Sequence, residues 1–298
     1  KIVIRPQFTF ALNFCEGMAL VQHGGDQAPV GYIDQTGKTV IKPQFNDGSS
    51  FSDGLASVEI GESWPNVKSG YIDKTGKFVI GPRYDYAHDF SEVLAAVNVG
   101  EKWGYIDKKG KMVISLKFEK AGDFSEGLAS VETLIKDGKF RDVLRMGYIN
   151  KTGKFVIQPQ FIHDPTSAFS TGTKFSEGVA IVSVYDEKVG MAKHSFIDKT
   201  GKFKVNPRDD YNFSVSSEGL IMFTVAGKVG FMNQSGNIVI NPQFERYGYI
   251  INNPRFSEGL APVVINNKTG YIDKTGKFII QPQFDQATAF KDGVALVN

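Results

Sequence analysis

The chain has 298 residues, 41% of them apolar and 22% charged, with 34 Lys and Arg against 32 Asp and Glu for a net charge of +2. That is the composition of a folded protein, and the charge balance gives no global reason to expect nucleic acid or an anionic membrane as partner. No apolar run approaches the roughly 18 residues that would cross a bilayer, and one cysteine, Cys15, excludes an intramolecular disulfide framework and a multi-cysteine metal site.

The skew lies in 32 Gly, 24 Phe and 11 Tyr, which predicts many short strands and tight turns. In chain order, Lys1–Ile4 reads as the last strand of a repeat unit. A start at Lys1, without Met and inside a repeat, reads as a processed product or an excised fragment. Seven related segments follow, of the form Gly-Tyr-Ile-Asp-Lys-Thr-Gly-Lys-Phe-Val-Ile, beginning at Gly31, Gly70, Gly104, Gly147, Ser195, Gly230 and Gly270. They lie 39, 34, 43, 48, 35 and 40 residues apart. A Phe-Ser-Glu-Gly-Leu-Ala corner alternates with them, intact at Phe124–Ala129 and Phe256–Ala261 and varied at Phe14, Phe51, Phe90, Phe175, Ser216 and Phe290. Between the two sits Pro-Gln-Phe, at Pro6, Pro43, Pro159, Pro242 and Pro282.

One unit, Leu94 to Phe124, reads as strand Leu94–Val99, turn Gly100–Lys102, strand Trp103–Asp107, tight loop and third strand Lys111–Ile114. Asp, two polar residues, then Gly fits a type I turn closed by a left-handed glycine bulge, with the Asp accepting turn N–H groups. Gly stands at that site in every copy, at 37, 76, 110, 153, 201, 236 and 276. Pro282, having no N–H, is expected to end the ladder. Phe284, Ala287 and Phe290 then suit a short helical turn or compact crossing. Glu132–Met146 and Tyr185–His194 read as lengthened hairpins and Asp164–Lys174 as a lengthened crossing. The chain ends in a first strand, Val294–Val297.

These motifs resemble the bacterial WG (KWG) repeat. Lys102-Trp103-Gly104-Tyr105-Ile106-Asp107 matches its signature in full, while Ser69, Met146, Val229 and Thr269 replace the Trp elsewhere. The resemblance implies a structural or interaction repeat and brings no catalytic residue. The expected fold is all-β: one array over 1–298, with partial units at both ends, of three-stranded antiparallel meanders stacked as an open β-solenoid or superhelix. A β-propeller is the alternative.

Eight acids share one repeat position: Glu16, Asp53, Glu92, Glu126, Glu177, Glu218, Glu258 and Asp292. The structural reading, a carboxylate binding local backbone N–H groups in a corner, is favoured over a cation ladder. Lys38, Lys77, Lys111, Lys154, Lys202 and Lys277 crowd the hairpin tips, with Lys74, Lys108, Lys151, Lys199 and Lys274 nearby, as a partner-binding edge or a solvated edge. His23, His88, His163 and His194 show no metal-ligand spacing, and Cys15 stands in a corner Ser position with only His23 near it in sequence. Trp64, Phe140 and Tyr249, in insertions, are candidate exposed anchors. No phosphate-binding glycine loop or nucleophile elbow occurs. The expectation is a non-enzymatic scaffold without cofactor, binding a protein or polysaccharide over an extended surface. A carbohydrate-binding or adhesive surface module is the alternative. No nucleic acid is expected, and a secreted or envelope location is favoured over the cytoplasm.

Overall fold

Each Gly-aromatic-Ile-Asp segment is a middle strand that hydrogen-bonds on both sides. The computed structural model describes residues 4–62, 66–136, 142–162, 174–188, 190–245 and 254–298, and among them there is no helix. The first sheet runs Phe10–Ala11, Met18–Gln22, Val30–Asp34, Thr39–Phe45, all antiparallel. The next is Asp47–Gly48, Ala56–Ile60, Lys68–Ile72, Phe78–Tyr84, and the third Tyr86–Ala87, Leu94–Val99, Lys102–Asp107, Met112–Phe118. A fourth runs Lys120–Ala121, Leu128–Lys136, Asp142–Asn150, Phe155–Phe161. Val179–Asp186 and Met191–Asp198 form a hairpin. A seven-stranded sheet then runs Tyr211–Ser217, Leu220–Val225, Lys228–Asn233, Ile238–Glu245, Ala261–Ile265, Lys268–Ile272, Phe278–Phe284. The chain divides into two compact units, residues 1–143 with 148–155, and 144–147 with 156–298.

Three sequence expectations need correction. The full sheet has four strands rather than three, because the crossing contributes a two-residue strand such as Tyr86–Ala87, paired to Val97 and Asn98. The crossing is therefore extended, without a helical turn. The third strand also does not stop at proline. It continues through Pro43, Pro82, Pro159, Pro242 and Pro282 to the next aromatic. The proline falls in a β-bulge: Tyr71 faces Ile80 and Ser69 faces Tyr84, so the single residue Gly70 on one strand opposes three, Gly81, Pro82 and Arg83, on the other. A bulge leaves an N–H unpaired, which proline does not have to satisfy.

The bulge explains the glycine of the middle strand. A methyl group built on Gly70 would lie 2.7 Å from the carbonyl oxygen of Ile80 and 2.7 Å from the nitrogen of Pro82. Ser195 occupies this position in the fifth copy, and there the third strand is lost. Only the isolated bridges Ile197 to Phe203 and His194 to Arg208 remain, and the Ser195 hydroxyl donates to the carbonyl of Val205 at 2.7 Å. The copy that carries a β-carbon at this position is thus the one whose sheet is a hairpin.

Successive repeats are joined by their recurring side chains. The middle-strand tyrosine is buried, packs at a tilt against the corner phenylalanine and donates its hydroxyl to a carbonyl of the crossing. Tyr71 lies 4.8 Å from Phe90 and bonds the carbonyl of His88 at 2.7 Å, and Tyr105 lies 4.9 Å from Phe124 and bonds that of Gly122 at 2.8 Å. Phe124 is only 1% exposed, as a seal between sheets requires. Five of the seven hairpin glycines rest on the buried isoleucine of the preceding third strand: Gly76 on Ile41, Gly110 on Ile80, Gly153 on Ile114, and in the second unit Gly201 on Ile157 and Gly276 on Ile240. Phe45 and Phe78, Phe118 and Phe155, and Phe244 and Phe278 meet edge to face at about 6 Å in the same seams. The two hairpins expected to be long have strands of nine and eight residues. Lys1, Trp64, Phe140, His163 and Tyr249, and most of the crossing after Asp164, lie outside the described residues.

Candidate functional site

The hairpin tips carry the lysines singled out in the sequence, and their local chemistry is that of the turn. Asp73 accepts the N–H of Thr75 at 2.9 Å, the hydroxyl of Thr75 at 2.5 Å and the N–H of Lys77 at 3.2 Å. The Thr75 hydroxyl leads in holding the Asp73 carboxyl below the usual carboxylate range. Asp34 and Asp273 repeat this arrangement. Gly37, Gly76, Gly110, Gly153, Gly201, Gly236 and Gly276 have φ of 77–88°, so the bulge turn forms in all seven copies. The backbone of Lys38, Lys77, Lys111, Lys154, Lys202 and Lys277 closes the turn, and all six side chains are exposed.

The nearby lysines divide. Lys74 pairs with Glu16 at 3.1 Å, Lys151 with Glu92 at 3.0 Å and Lys274 with Glu218 at 3.0 Å, so these belong to the corners. The corners themselves differ from the expected local bonding. All eight acids have φ of 49–54°, the first position of a two-residue turn whose second is usually glycine. The carboxylates of six of them reach the backbone of the next corner rather than their own. Glu16 accepts from Gly54 at 3.2 Å, Asp53 from Val93 at 2.8 Å and Glu92 from Gly127 at 3.1 Å. In the second unit Glu177 accepts from Glu218 and Gly219, Glu218 from Gly259 and Glu258 from Gly293. The corner serine adds a second link, Ser52 to the carbonyl of Phe90 and Ser91 to that of Phe124, both at 2.7 Å. Partial burial pushes the Glu218 carboxyl up, but Lys274 and the Gly259 N–H outweigh it and leave it below the usual range.

Two features escaped the sequence reading. The first is the outward face of the third strand. Val40, Val79 and Val113 are 42%, 47% and 44% exposed, each one residue before the buried isoleucine and two after a tip lysine. Val156, Val239 and Ile279 repeat the position. Period-two alternation with the buried isoleucine was the available signal. The second is a polar belt on the crossings of the first unit. His88 Nδ1 lies 2.9 Å from Asp123 Oδ1, and its ring meets Trp103 edge to face at 4.9 Å. Burial raises the Asp89 carboxyl, and Asp123 adds to this against hydrogen bonds from Ser49 and Ser57. His23 packs on Phe8, and His194 lies 3.0 Å from Ser183. Cys15 is a half-buried free thiol. No group of three His, Cys, Asp or Glu residues able to hold a metal occurs among the described residues, and no described helix is long and apolar enough to cross a membrane.

The repeating geometry has a counterpart among known sequences. The WG containing repeat matches residues 1–25, 31–64, 70–103, 103–134, 146–161, 230–268 and 270–298. This chain belongs to the WG repeat family. The span between the matches, 162–229, holds Ser195 and the sheet that lost its third strand. No curated protein matches the chain. Among solved structures, a crystal structure of a eukaryotic initiation factor is similar in fold over 99% of this WG repeat chain and 82% of its own, with TM-score 0.62 and 13% identity. A virginiamycin B lyase from Staphylococcus aureus aligns over 93% and 96%, with TM-score 0.41 and 16% identity. A TolB-like protein from Agrobacterium tumefaciens aligns over 64% and 76%, with TM-score 0.37 and 9% identity.

Proposed function

We propose that this WG repeat chain is a non-enzymatic scaffold that binds a protein or polymer partner over an extended surface. The observation that carries the reading is where the recurring side chains are used. The corner Ser and acid, the middle-strand Tyr, the hairpin Gly and the crossing Phe bond or pack from one repeat to the next, and the hairpin Asp is used within its own turn. An active site needs different groups converging at one place. What recurs and remains outward is the tip lysine with the valine two residues on. Repeat architectures bind through such extended faces.

The arrangement of the repeats is part of the proposal. A four-stranded sheet every 40 residues or so is the size of a propeller blade. This supports blade-like units over the three-stranded layers of an open solenoid.

Crosslinking in a lysate, followed by capture at about 50 and 500 mM salt, tests the scaffold. A partner that is captured and weakened by salt fits a charged edge. Failure to capture any partner while a hydrolytic or transfer activity is found in the purified chain would sink it. One observation favours the glycan alternative: Trp103, half-buried beside His88 and Asp123, joins an aromatic face to hydrogen-bonding groups. A glycan array signal abolished by Trp103→Ala would select that reading.

A further inference from the structure

The outward third-strand faces are not equivalent along the chain. In the first unit, Thr39–Phe45, Phe78–Tyr84 and Met112–Phe118 contain no Asp or Glu, and each is the edge strand of its sheet. Their outward residues alternate cation, aliphatic, then cation further along. They read Lys38, Val40 and Lys42 in the first, Lys77, Val79 and Arg83 in the second, and Lys111, Val113 and Lys117 in the third, all exposed. Among the described residues none of these six cations forms an ion pair. In the second unit the same strands carry Asn241, Gln243, Gln281 and Gln283 in place of the second cation, and Asn237 replaces one tip lysine.

The three faces of the first unit are adjacent. Gly76 rests on Ile41 and Gly110 on Ile80, which sets each tip lysine beside the preceding strand. Arg83 reaches across the same seam to the carbonyl of Gly110 at 3.0 Å. The three turn acids Asp34, Asp73 and Asp107 stand against the six cations. Asp34, Asp73 and Asp107 hold turn N–H groups, and Glu16 and Glu92 pair with Lys74 and Lys151. The surface thus has a local surplus of positive charge that the chain's balanced total conceals.

Resting on the scaffold reading above, we infer that this face of the first unit docks an extended acidic peptide segment whose carboxylates alternate with aliphatic side chains. Charge complementarity selects the acid. The valines select a peptide over a purely anionic polymer, because they sit between the cations on the same face, where a uronic or sulfated glycan offers no apolar group. They are too short to enter a bilayer as Trp, Phe or Leu anchors do. Along a strand, positions four apart are separated by about 13 Å. Lys38 and Lys42 are four apart with Val40 midway, which matches successive carboxylates at i and i+4 of an extended partner with an aliphatic side chain at i+2, whereas Arg83 and Lys117 lie six residues from their tip lysines, across the bulge.

The test uses fluorescence anisotropy with the full chain and a labelled ten-residue peptide carrying Glu, Ile and Glu at alternate positions. A peptide with Gly for Ile, heparin, and phosphatidylserine vesicles are the comparators. Lys38→Gln/Lys77→Gln/Lys111→Gln should weaken binding about tenfold, as three exposed charge contacts imply. Val40→Ser/Val79→Ser/Val113→Ser should weaken it several-fold, and Lys202→Gln/Lys277→Gln in the second unit should leave it unchanged. Equal loss in the second-unit variant overturns the inference. So does equal affinity for the glycine peptide or heparin, binding of vesicles alone, or binding of no probe. In each of these cases crosslinking decides the scaffold reading separately: a captured partner indifferent to the lysine triple leaves the scaffold standing and removes only the acidic peptide.

Discussion

Replacing Gly70 by alanine isolates the contact that defines the repeat. The added methyl would stand 2.7 Å from the backbone of Ile80 and Pro82, about 0.7 Å inside ordinary contact, and no flexible side chain is there to yield. The bulge must shift or the third strand must leave. Overpacking of this kind costs about 1–3 kcal/mol. If Phe78–Tyr84 peels away, Ile80 and Tyr84, now 2% and 4% exposed, lose their burial at about 1.5–3 kcal/mol each, less what a partial opening retains. We expect a loss of about 2–4 kcal/mol by denaturant unfolding, with hydrogen exchange quickened specifically in Phe78–Tyr84. Gly54→Ala is the control. Gly54 has φ +85° but open space around its β-carbon, so only the left-handed backbone is charged, at about 1 kcal/mol. Gly70→Ala costing no more than Gly54→Ala, or leaving exchange in the third strand unchanged, would refute the steric argument.

Further outcomes follow from other positions. Val93, a β-branched residue held at φ 69° and 53% exposed, should be improved by Val93→Gly by up to about 1 kcal/mol after the entropy of glycine is subtracted; a lower melting temperature would contradict this. Phe124→Ala should cost about 3–5 kcal/mol, since the ring is buried against Tyr105 between sheets; an unchanged denaturation midpoint would show the seam bears little load. Asp89 has its carboxyl raised by burial, so it favours the fold fully only below the unfolded value near pH 3.9, and that contribution is lost as pH rises through the folded value. Asp89→Asn should therefore raise the melting temperature at pH 7 and have little effect near pH 3, and a gain that is the same at both pH values would exclude ionisation as the cause.

Local chemistry was readable because its partners lie within a few residues. The hairpin Asp73 bonds residues two and four positions on, and the Gly76 that closes the turn has the positive φ its sequence position implied. The recurring Phe and Tyr were legible as core for a similar reason: a large apolar group repeated at one register must face its copies. The corner acids were legible as turn residues. Their partners were not, because the N–H groups they accept from lie 35 to 42 residues away in the next repeat.

The sequence by itself determined the repeat, its length, its turns and its apolar interior. Only tertiary structure decided the fourth strand, the course of the third and the surplus charge of one face. The two-residue strand Tyr86–Ala87 has no signature of its own and exists because Val97 and Asn98 offer it an open edge. Proline ends a ladder in isolation, yet Pro82 is carried inside a strand because Gly70, across the bulge, leaves room for its backbone. Lys74 and Lys77 are near neighbours in one loop, but Glu16 takes the first from a different repeat and leaves the second in solvent. Each of these outcomes depends on a group brought close by folding, and no window of sequence around the residue itself contains that group.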